Sequence, residues 1–500
     1  MKLTLLLTLL LALPAANLPA ADPKPATPAR PNIVILYADD MGYGDLACQN
    51  PDSKIPTPHL DRLAREGLRF TDAHSSSGIC SPSRYALLTG RFHWRKFHGI
   101  VNSFGPPVFD AELTLPKMLK QQGYRTACIG TWHLGWDWDA IKKPGAKPDP
   151  KTGYRPDAFD WSRPIPGGPL ARGFDYYFGD DVPNFPPYTS FENDRVLTVP
   201  SEPLTITPQT AEGSWEARPG PMAPGWDFYG VMPKLTAKAV DWIAQRKSDK
   251  EPFFLYFPFT SPHAPIVPAP EFVGKSKAGG YGDFVVQSDA TVGAVLRALD
   301  DHGLSQNTIV VFSADNGPEH YAYERIRNFQ HRSAGPLRGL KRDIWEGGHR
   351  VPFIVRWPGV VTPGGVSDAL ISQVDLMATL AAATGAVLFP GAADDSHNLL
   401  PVWKDRAPSP RTTIVHNTNP RGYALRHQQW LLIDAKTGGM SKVPAWFDEG
   451  NNYSKNDQPG ELYDLSKDLP QRNNLYSQNP DKVAELQALL AQTRAKGQVR

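Results

Sequence analysis

The sequence predicts an α/β fold with a mostly parallel central sheet and helices on both faces, followed by a smaller C-terminal α+β subdomain. Two observations indicate this class. Apolar, strand-like runs alternate with amphipathic helical segments over most of the 500 residues, an order that places parallel strands side by side with helices as crossovers. In addition, runs such as NIVILYA (residues 32–38) are almost entirely apolar, as expected for strands buried on both faces.

Several predicted helices have clear signals at their ends. One begins with Pro58 and ends before Gly67, because proline suits the first helical turn and glycine the position after the last. A short helix in SPSRYALLTG takes Ser81 as its N-cap, Pro82 as its first residue and Gly90 as its stop. In chain order, the predicted elements are the strand NIVILYADD, the helices TPHLDRLAREG, SPSRYALLTG and LPKMLKQQG, the strands YRTACIG and PFFLYFPF, the helix GDFVVQSDATVGAVLRALDDHG, the strands NTIVVFSADNG and PFIVRWP, and the helix ISQVDLMATLAAATG.

Two regions depart from this alternation. Between Trp136 and Gly230 the chain is rich in proline, glycine, aspartate and aromatic residues, which indicates functional loops or small elements that the pattern does not define. After Arg411, RTTIVHN, GYALRHQQWLLIDA and ELYDL resemble short strands joined by turns, and DKVAELQALLAQTRA resembles an amphipathic helix. We therefore predict a principal domain over residues 32–405 and a C-terminal subdomain with a short antiparallel sheet over residues 406–500.

The N-terminal residues have the pattern of a secretory signal peptide. Lys2 precedes an apolar run at positions 3–13, and small residues near position 20 offer a cleavage site. The run is too short for an ordinary membrane span; an uncleaved anchor is the alternative. We predict a signal peptide over residues 1–21, a Pro/Ala linker over residues 22–31, and a secreted or periplasmic chain with no stable membrane insertion.

Charge and cysteine content exclude two further classes of protein. Lysine plus arginine total 53 and aspartate plus glutamate 51, so no broad basic field indicates a nucleic-acid partner. The three cysteines, Cys48, Cys80 and Cys128, are too few for a disulfide framework. Cys48 and Cys128 could pair, which the sequence leaves open. The odd number indicates that one cysteine has another role.

Oxygen-bearing side chains follow two of the predicted strands. Asp39 and Asp40 come directly after NIVILYA, and Asp315 and Asn316 directly after TIVVFSA. Ligands of an open α/β sheet gather at the carboxyl ends of its strands. Four hard oxygen donors there suit Ca²⁺ or Mg²⁺ rather than zinc. Each pair alone is weak evidence for a metal site; Asn316-Gly317, for example, is also an ordinary turn sequence.

Other candidate residues adjoin the same predicted edge. Cys80 and Arg84 lie at the start of the short helix, where the helix dipole and free amides favour an anion beside a reactive side chain. His133 and His263 each follow a strand, where general acids and bases are useful. Lys341 lies in a glycine-rich loop. Taken singly, the two histidines and the lysine are more often ordinary loop residues.

Together these residues carry a family resemblance. Cys80-Ser81-Pro82-Ser83-Arg84, followed by LLTGR, resembles the signature of the type I sulfatases, relatives of arylsulfatase in the alkaline phosphatase superfamily. The resemblance runs from about residue 32 to the C-terminal strands and implies an alkaline phosphatase-like fold and the hydrolysis of sulfate esters. It includes ADDMGYGD, GFDYYFG, PFFLYFPFTSPHAP, SADNG, LRGLK, EGGHRVPFIVRWPG and ELYDLSKD.

The resemblance implies that Cys80 is not used as a thiol. A formylglycine-generating enzyme, which reads Cys-x-Pro-x-Arg in an unfolded chain, oxidises it to an aldehyde. A hydroxyl of the hydrated aldehyde is the implied nucleophile toward sulfur. His263 is then the implied acid for the leaving alcohol, and His133 the implied base for the second hydroxyl.

The resemblance also implies a metal and a cationic cradle. The metal is one Ca²⁺, which would bind the sulfate oxygens and spread their negative charge. Arg84 and Lys341 would contact the formylglycine and the sulfate. The implied metal ligands are Asp39, Asp40, Cys80 in its modified form, Asp315 and Asn316.

One position departs from the family pattern. The family usually reads Gly-Lys-Trp-His-Leu-Gly where this chain has Thr131 in place of the lysine. That lysine normally touches the sulfate and the leaving oxygen, so its loss removes a positive charge from the site. The chain could be a weak enzyme, could use a contact from the substrate, or could use a nearby cation. We expect the last, with Arg95, Lys96 or His98 in the vacant place.

The implied substrate is a sulfated small molecule or, because the chain is predicted to be exported, a sulfated glycan. Four tryptophans could stack on sugar rings or simply pack in the core; they are Trp132, Trp136, Trp138 and Trp161. Two alternatives stay open. One is a phosphonate or phosphate ester hydrolase of the same superfamily. The other is a catalytically weakened homologue that binds sulfate esters.

Overall fold

The computed structural model describes residues 30–150, 153–204 and 217–496. The predicted signal peptide, and the predicted linker up to residue 29, lie outside these residues. Within the three described ranges, every helix is too short or too polar to cross a membrane.

Eighteen strands are present in the described ranges. In chain order they are β1 (Asn32–Ala38), β2 (Leu68–Phe70), β3 (Ala73–His74), β4 (Arg125–Ile129), β5 (Tyr176–Gly179), β6 (Phe191–Glu192), β7 (Arg195–Val196), β8 (Glu202–Leu204), β9 (Gly220–Met222), β10 (Phe253–Pro258), β11 (Thr308–Ala314), β12 (Phe353–Arg356), β13 (Gly365–Ser367), β14 (Ile371–Ser372), β15 (Thr413–Asn419), β16 (Gly422–His427), β17 (Trp430–Asp434) and β18 (Glu461–Asp464).

Eleven α-helices accompany these strands in the same part of the chain. They are α1 (Pro58–Glu66), α2 (Cys80–Thr89), α3 (Leu115–Gln121), α4 (Val231–Ala244), α5 (Gly279–Asp301), α6 (Ala322–Phe329), α7 (Glu346–His349), α8 (Leu376–Thr384), α9 (Leu400–Asp405), α10 (Ala445–Asn451) and α11 (Pro480–Lys496). Short 3₁₀ helices cover His93–Arg95, Trp138–Ala140, Pro156–Ala158, Pro169–Arg172, Pro270–Phe272, Ser305–Asn307, Gln373–Asp375 and Tyr476–Gln478.

A ten-stranded sheet organises the larger part of the fold. Its order is β13-β2-β12-β11-β1-β10-β4-β5-β6-β7, and the five central strands from β11 to β5 are all parallel. Alternate residues of β1 enter two different cores: Ile33 and Ile35 lie in one, and Val34 and Leu36 in the other. Burial on both faces explains why this strand is apolar throughout. The predicted mostly parallel α/β class is confirmed.

The C-terminal segments form a separate four-stranded antiparallel sheet. Its order is β15-β16-β17-β18, and all its pairings are antiparallel. Ile414 and Leu425 from this sheet share a core with Ala86 of α2 and with Leu486 of α11. The predicted short antiparallel sheet is therefore confirmed, and it packs against the helix that begins at Cys80. The boundary at residue 406 stays a prediction.

The stretch between Trp136 and Gly230 contains short elements, from β5 to β9, which the sequence pattern did not define. Helix α4 follows it and was also missed. Its buried residues Met232, Leu235, Ala239 and Trp242 have helical spacing, so periodicity could have found it.

The four tryptophans that were candidates for sugar stacking are core residues. Trp132, Trp136, Trp138 and Trp161 are all 8 % exposed or less. The ring of Trp136, for example, stacks on Phe191 with 5.1 Å between ring centroids. Packing in the core, the second of the two interpretations, is therefore confirmed, and sugar stacking by these residues is wrong.

Candidate active site

Four oxygen-bearing side chains meet at the carboxyl edge of the central sheet. Strands β1 and β11 pair in register, so the residues that follow them are neighbours. Asp40 receives a hydrogen bond from the side-chain amide of Asn316 (2.7 Å), and its backbone N–H donates to Oδ1 of Asp315 (3.2 Å). These three residues and Asp39 are at most 1 % exposed. The sequence prediction that the two polar pairs lie together is borne out by these contacts.

Two buried cations balance the carboxylates. Arg84 donates from Nη2 to Oδ2 of Asp39 (2.7 Å) and to Oδ2 of Asp315 (2.9 Å). The Lys341 ammonium lies 2.6 Å from Oδ1 of Asp40. Burial acts to lower the pKa of Lys341, but the adjacent carboxylate outweighs it and the net shift is upward. Both cations therefore stay charged, and they tie helix α2 and the loop around Lys341 to the sheet edge.

The cluster contains oxygen atoms that make no hydrogen bond and that could bind a hard divalent cation. Oδ1 of Asp39 and Oδ1 of Asn316 are buried without a hydrogen-bond partner, which is costly unless something else binds them. Donor atoms of Asp39, Asp40, Cys80 and His263 lie within 4.8 Å of one another. Burial raises the pKa of Asp39 to about 6 and that of Asp315 to about 8. A nearby cation would favour the ionised carboxylates, so these residues fit the predicted metal.

Helix α2 begins at Cys80 itself. Its N-cap is Ile79, so the prediction that Ser81 caps this helix is wrong. Ser81 instead accepts a hydrogen bond from the backbone N–H of Val101 (3.0 Å). The predicted stop at Gly90 is confirmed, with φ 65° in the left-handed region. Cys80 thus lies in the first turn, 2 % exposed. Burial, and after it the nearby carboxylates, raise the pKa of its thiol despite Lys341.

His133 is held by one ring nitrogen. Nε2 lies 3.0 Å from the carbonyl oxygen of Val101; a carbonyl only accepts, so Nε2 carries the proton and donates. Nδ1 is buried without a partner and bears the lone pair. Burial, and then Arg84, lower the pKa of His133, so its ring is neutral and can accept a proton.

His263 lies on the other side of the acidic cluster. Its Nδ1 lies 2.5 Å from the carbonyl of Ala264, and its Nε2 is 3.7 Å from Oδ2 of Asp40. Burial and Lys341 lower the pKa of His263, while Asp40 opposes them. The net shift is downward, so Asp40 offsets only part of the effect of burial and Lys341.

Backbone strain marks this site. Asp40 and His133 have φ angles of 64° and 53°, in the left-handed region that residues other than glycine seldom adopt. Such conformations persist where surrounding contacts hold them, and they are frequent at functional sites.

Thr131 lies beside two buried acids that the sequence analysis missed. Its hydroxyl donates to Oδ1 of Asp180 (3.0 Å), and Asp181 accepts from the indole of Trp136 (3.2 Å). Burial raises the pKa of Asp180 to about 6 and that of Asp181 to about 7. Both follow β5, so the signal that marked Asp39, a carboxylate at a strand exit, could have found them.

The three cations expected to replace the missing lysine have other partners. Arg95 makes two hydrogen bonds to the carboxylate of Asp395. Lys96 pairs with Glu112 (2.9 Å) and Asp110 (2.8 Å), and His98 bonds the side chain of Asn417 (2.6 Å). The expectation that one of them fills the place of the lysine is therefore wrong for this structure.

The cysteine pair that the sequence left open is not formed. Cys48, Cys80 and Cys128 are all free. Cys128 is fully buried in β4, whereas Cys48 is only partly buried.

A mostly parallel α/β sheet with an acidic, metal-type cluster and two histidines at its carboxyl edge is typical of a metal-assisted hydrolase. Comparison with known proteins is more specific. The family model described as Sulfatase matches residues 31–386. The chain therefore belongs to the sulfatase family, whose members are sulfuric ester hydrolases.

Individual relatives agree with this assignment. The chain is 34% identical over 510 residues to an N-acetylgalactosamine-6-O-sulfatase of Bacteroides thetaiotaomicron, covering 93% of this chain and 94% of the relative. It is 35% identical over 486 residues to arylsulfatase A of Homo sapiens, covering 94% and 86%. A solved Bacteroides thetaiotaomicron sulfatase, from work on the metabolism of multiple glycosaminoglycans, superposes with a TM-score of 0.77 at 32% identity, covering 93% of this chain and all of that one.

Proposed function

We propose that this sulfatase is an exported enzyme that removes sulfate from a carbohydrate, with a formylglycine made from Cys80 as nucleophile and one bound Ca²⁺. The observation that carries the proposal is the convergence, in one buried site, of Cys80, two candidate proton carriers, two cations and an oxygen-rich cluster. Each of these was a separate motif in the sequence. Their meeting at one sheet edge gives a single site the nucleophile, the charge and the proton carriers that ester hydrolysis needs.

The surroundings of Cys80 support its modification rather than its use as a thiol. A cysteine nucleophile works as a thiolate, and here burial raises the pKa of the thiol. The hydrate of an aldehyde would supply a hydroxyl nucleophile at the same position. Cys80 and Arg84 are 2 % and 0 % exposed, so an enzyme that reads both must act before the chain folds.

The metal would be held by Asp39, Asp40, Asp315 and Asn316. Oxygen donors without soft ligands favour Ca²⁺ or Mg²⁺ over zinc, and the resemblance to the sulfatases favours Ca²⁺. Two of these oxygens are buried with no hydrogen-bond partner. When bound, the metal would stabilise negative charge on the sulfate oxygens. Arg84 holds Asp39 and Asp315 in place through charge-assisted hydrogen bonds, and so keeps the ligands oriented.

The remaining side chains provide charge and proton transfer. Lys341, next to Asp40 and 4 % exposed, places a permanent positive charge where the sulfate binds. His133 offers the lone pair on Nδ1 as a base, because its Nε2 proton is engaged by Val101. His263 donates from Nδ1 to the carbonyl of Ala264, and once protonated at Nε2, a charged form that Asp40 favours, it would deliver that proton to the departing alcohol. The two histidines thus divide acid and base work.

The proposal of a carbohydrate substrate rests on the relatives, one of which is named for a sulfated amino sugar. The tryptophans do not support it, because they are buried. Export rests on the N-terminal signal in the sequence.

The test is sulfate release from a panel of sulfated mono-, oligo- and polysaccharides that includes N-acetylgalactosamine 6-sulfate. The protein is co-expressed with a formylglycine-generating enzyme, and Cys80→Ala is the matched control. We expect release from at least one sugar and none from the control. Faster hydrolysis of aryl phosphate or phosphonate esters than of every sulfate would overturn the proposal in favour of the phosphonate alternative. Binding of a sulfated sugar without turnover would favour the weakened homologue.

A further inference from the structure

A second cluster of possible metal ligands lies outside the carboxylate site. It consists of His74 on β3, His349 at the end of α7 and His416 on β15, which we call the histidine cluster. All three side chains are fully buried, and one ring nitrogen from each lies within 4.8 Å of the others. These residues come from three distant parts of the chain, so the fold alone brings them together.

Hydrogen bonds determine where two of the rings carry their protons. Nε2 of His74 lies 2.8 Å from the carboxylate of Asp72, and Nε2 of His349 lies 3.2 Å from the carbonyl of Ile344. A carbonyl oxygen only accepts, and so does an ionised carboxylate, so in neutral rings both Nε2 atoms are protonated and both Nδ1 atoms bear lone pairs. A carboxylate or carbonyl behind a histidine is the usual arrangement for a metal-binding ring.

The two lone pairs face each other. Nδ1 of His74 and Nδ1 of His349 are 3.1 Å apart, with no proton between them in the neutral rings. Two lone pairs at this distance repel, and the repulsion is removed either by a proton on one ring, which makes the contact a hydrogen bond, or by a cation bound to both nitrogens; the zinc content measured below distinguishes the two. Two nitrogen ligands of a tetrahedral zinc ion, each at about 2.0–2.1 Å from the metal, are about 3.3 Å apart, close to the observed separation.

His416 is the third donor. Neither of its ring nitrogens has a hydrogen-bond partner, although the ring is fully buried, and buried polar atoms are rarely left in that state. Its ring stacks on His349 with 3.4 Å between centroids. The in-plane lone pairs of two stacked rings are nearly parallel, so His416 would have to rotate out of the stack to share an ion with His349, and no hydrogen bond opposes that rotation.

Two carboxylates and two arginines lie around the cluster. Asp72 and Glu346 lie beside His74, and Oε1 of Glu346 is buried without a partner. Arg350 and Arg426 pair with both oxygens of Asp72 and with Oε2 of Glu346, so two arginines balance the two carboxylates. Oε1 of Glu346 remains a free acceptor close to His74, and three imidazoles are the donor set that suits zinc.

We propose that His74, His349 and His416 bind a structural zinc ion that fastens the C-terminal sheet to the principal domain. Its position also matters for the segment that leads to Cys80. The backbone N–H of Ser75 donates to the carbonyl of His349 (2.8 Å), so the ion would stabilise the start of the 75–79 segment. The zinc takes no part in the hydrolysis, and the proposal stands independently of the proposed substrate.

The test uses His416→Phe in the full-length protein. Phenylalanine keeps an aromatic ring to stack on His349 and removes both nitrogens without breaking a hydrogen bond. His427→Ala, on the neighbouring strand β16, is the matched control. Metal is measured by inductively coupled plasma mass spectrometry after equilibration with micromolar Zn²⁺. We expect about one zinc per chain in the wild type and the control and less than about a tenth in His416→Phe, with calcium unchanged in all three.

Thermal unfolding gives an independent readout. A zinc-selective chelator should lower the Tm of the wild type by several degrees, added Zn²⁺ should restore it, and His416→Phe should respond to neither. Without a bound metal, His416→Phe would only remove two unsatisfied polar atoms, so its Tm would stay equal or rise. Equal zinc contents in His416→Phe and His427→Ala, or no zinc in the wild type, would overturn the proposal.

Discussion

The hydroxyl of Thr131 donates a hydrogen bond to Oδ1 of Asp180 over 3.0 Å, at the position where sulfatases usually carry a lysine. The acid that would neutralise such a lysine is therefore present, although the lysine itself is absent. Because Arg95 and Lys96 are bound to other carboxylates, neither is expected to repel an ammonium group added at position 131.

Thr131→Lys should therefore raise turnover. The new ammonium would pair with Asp180 and restore a positive charge beside the sulfate, which we expect to increase kcat/KM on a small aryl sulfate about tenfold. The matched control is Thr131→Met, which adds length without charge. Both variants are compared with the wild type at equal formylglycine content. If kcat/KM fell as much in Thr131→Lys as in Thr131→Met, the space beside position 131 would already be filled.

Removing a proposed metal ligand should abolish metal binding. Asp39→Ala and Asp315→Ala each delete an oxygen donor and leave the buried Arg84 with one carboxylate fewer. We expect loss of calcium and a fall in kcat of at least about 10³-fold in both, measured with circular dichroism as a check of folding. Asp180→Asn, which removes a buried charge at the same sheet edge, should keep its calcium. Calcium retained in both alanine variants would place the metal elsewhere.

Maturation should require an unfolded chain. Cys80 is 2 % exposed and Arg84 is fully buried, so a modifying enzyme cannot reach both in the folded protein. We expect a formylglycine-generating enzyme to convert a peptide of residues 75–91, and to leave the folded, unmodified protein unchanged. Peptide mass spectrometry measures both reactions. Conversion of the folded protein at the rate of the peptide would contradict this account of the burial.

The role proposed for His263 predicts a dependence on the leaving group. His263→Gln cannot protonate the departing oxygen, so it should slow sugar sulfates, which have poor leaving groups, by about 10²–10⁴-fold. An aryl sulfate, whose phenolate leaves without a proton, should be affected much less. His133→Gln serves as the comparison, because loss of a base should slow both substrates alike. Equal losses on both substrates in His263→Gln would refute the acid role.

A buried carboxylate away from the active site predicts a pH effect on stability. Asp289 accepts hydrogen bonds from the backbone N–H groups of His59 and Leu60 at the start of α1, and burial raises its pKa to about 7. Its folded-state pKa is higher than its unfolded value, so the stability it contributes is complete below about pH 4 and is lost as the pH rises through 7.

Asp289→Asn keeps an acceptor oxygen but cannot ionise. Relative to the wild type, this variant should gain stability between pH 4 and 8, by up to about 1.4 kcal/mol per unit of pKa shift. Urea unfolding of both proteins across this range measures the difference, in which all other titrating groups cancel. A difference that does not change with pH would show that Asp289 is ionised throughout.

The order of strands and helices could be read from the sequence because burial on both faces leaves a local record. The residues of β1 are apolar at every position, and α1 carries Pro58 at its start and Gly67 after its end. The metal-type cluster could also be predicted, since Asp39 and Asp315 follow strands whose carboxyl ends must share an edge once the sheet is parallel. These inferences need only the local pattern of apolar and helix-terminating residues, and the rule that parallel strands end at the same edge of a sheet.

Which side chains pair with each other could not be predicted from these patterns, because pairing depends on contacts between residues far apart in the chain. Arg95 was a candidate cation for the active site, yet Asp395, three hundred positions away, binds it. The sequence was equally consistent with tryptophans that stack on a sugar and tryptophans that pack in the core, and only the tertiary structure shows that they pack in the core. His74, His349 and His416 had no recognisable spacing. The sequence by itself determined the fold class and the motifs that carry the proposed nucleophile and metal site; the tertiary structure decided which charges pair, which rings are buried and which histidines meet.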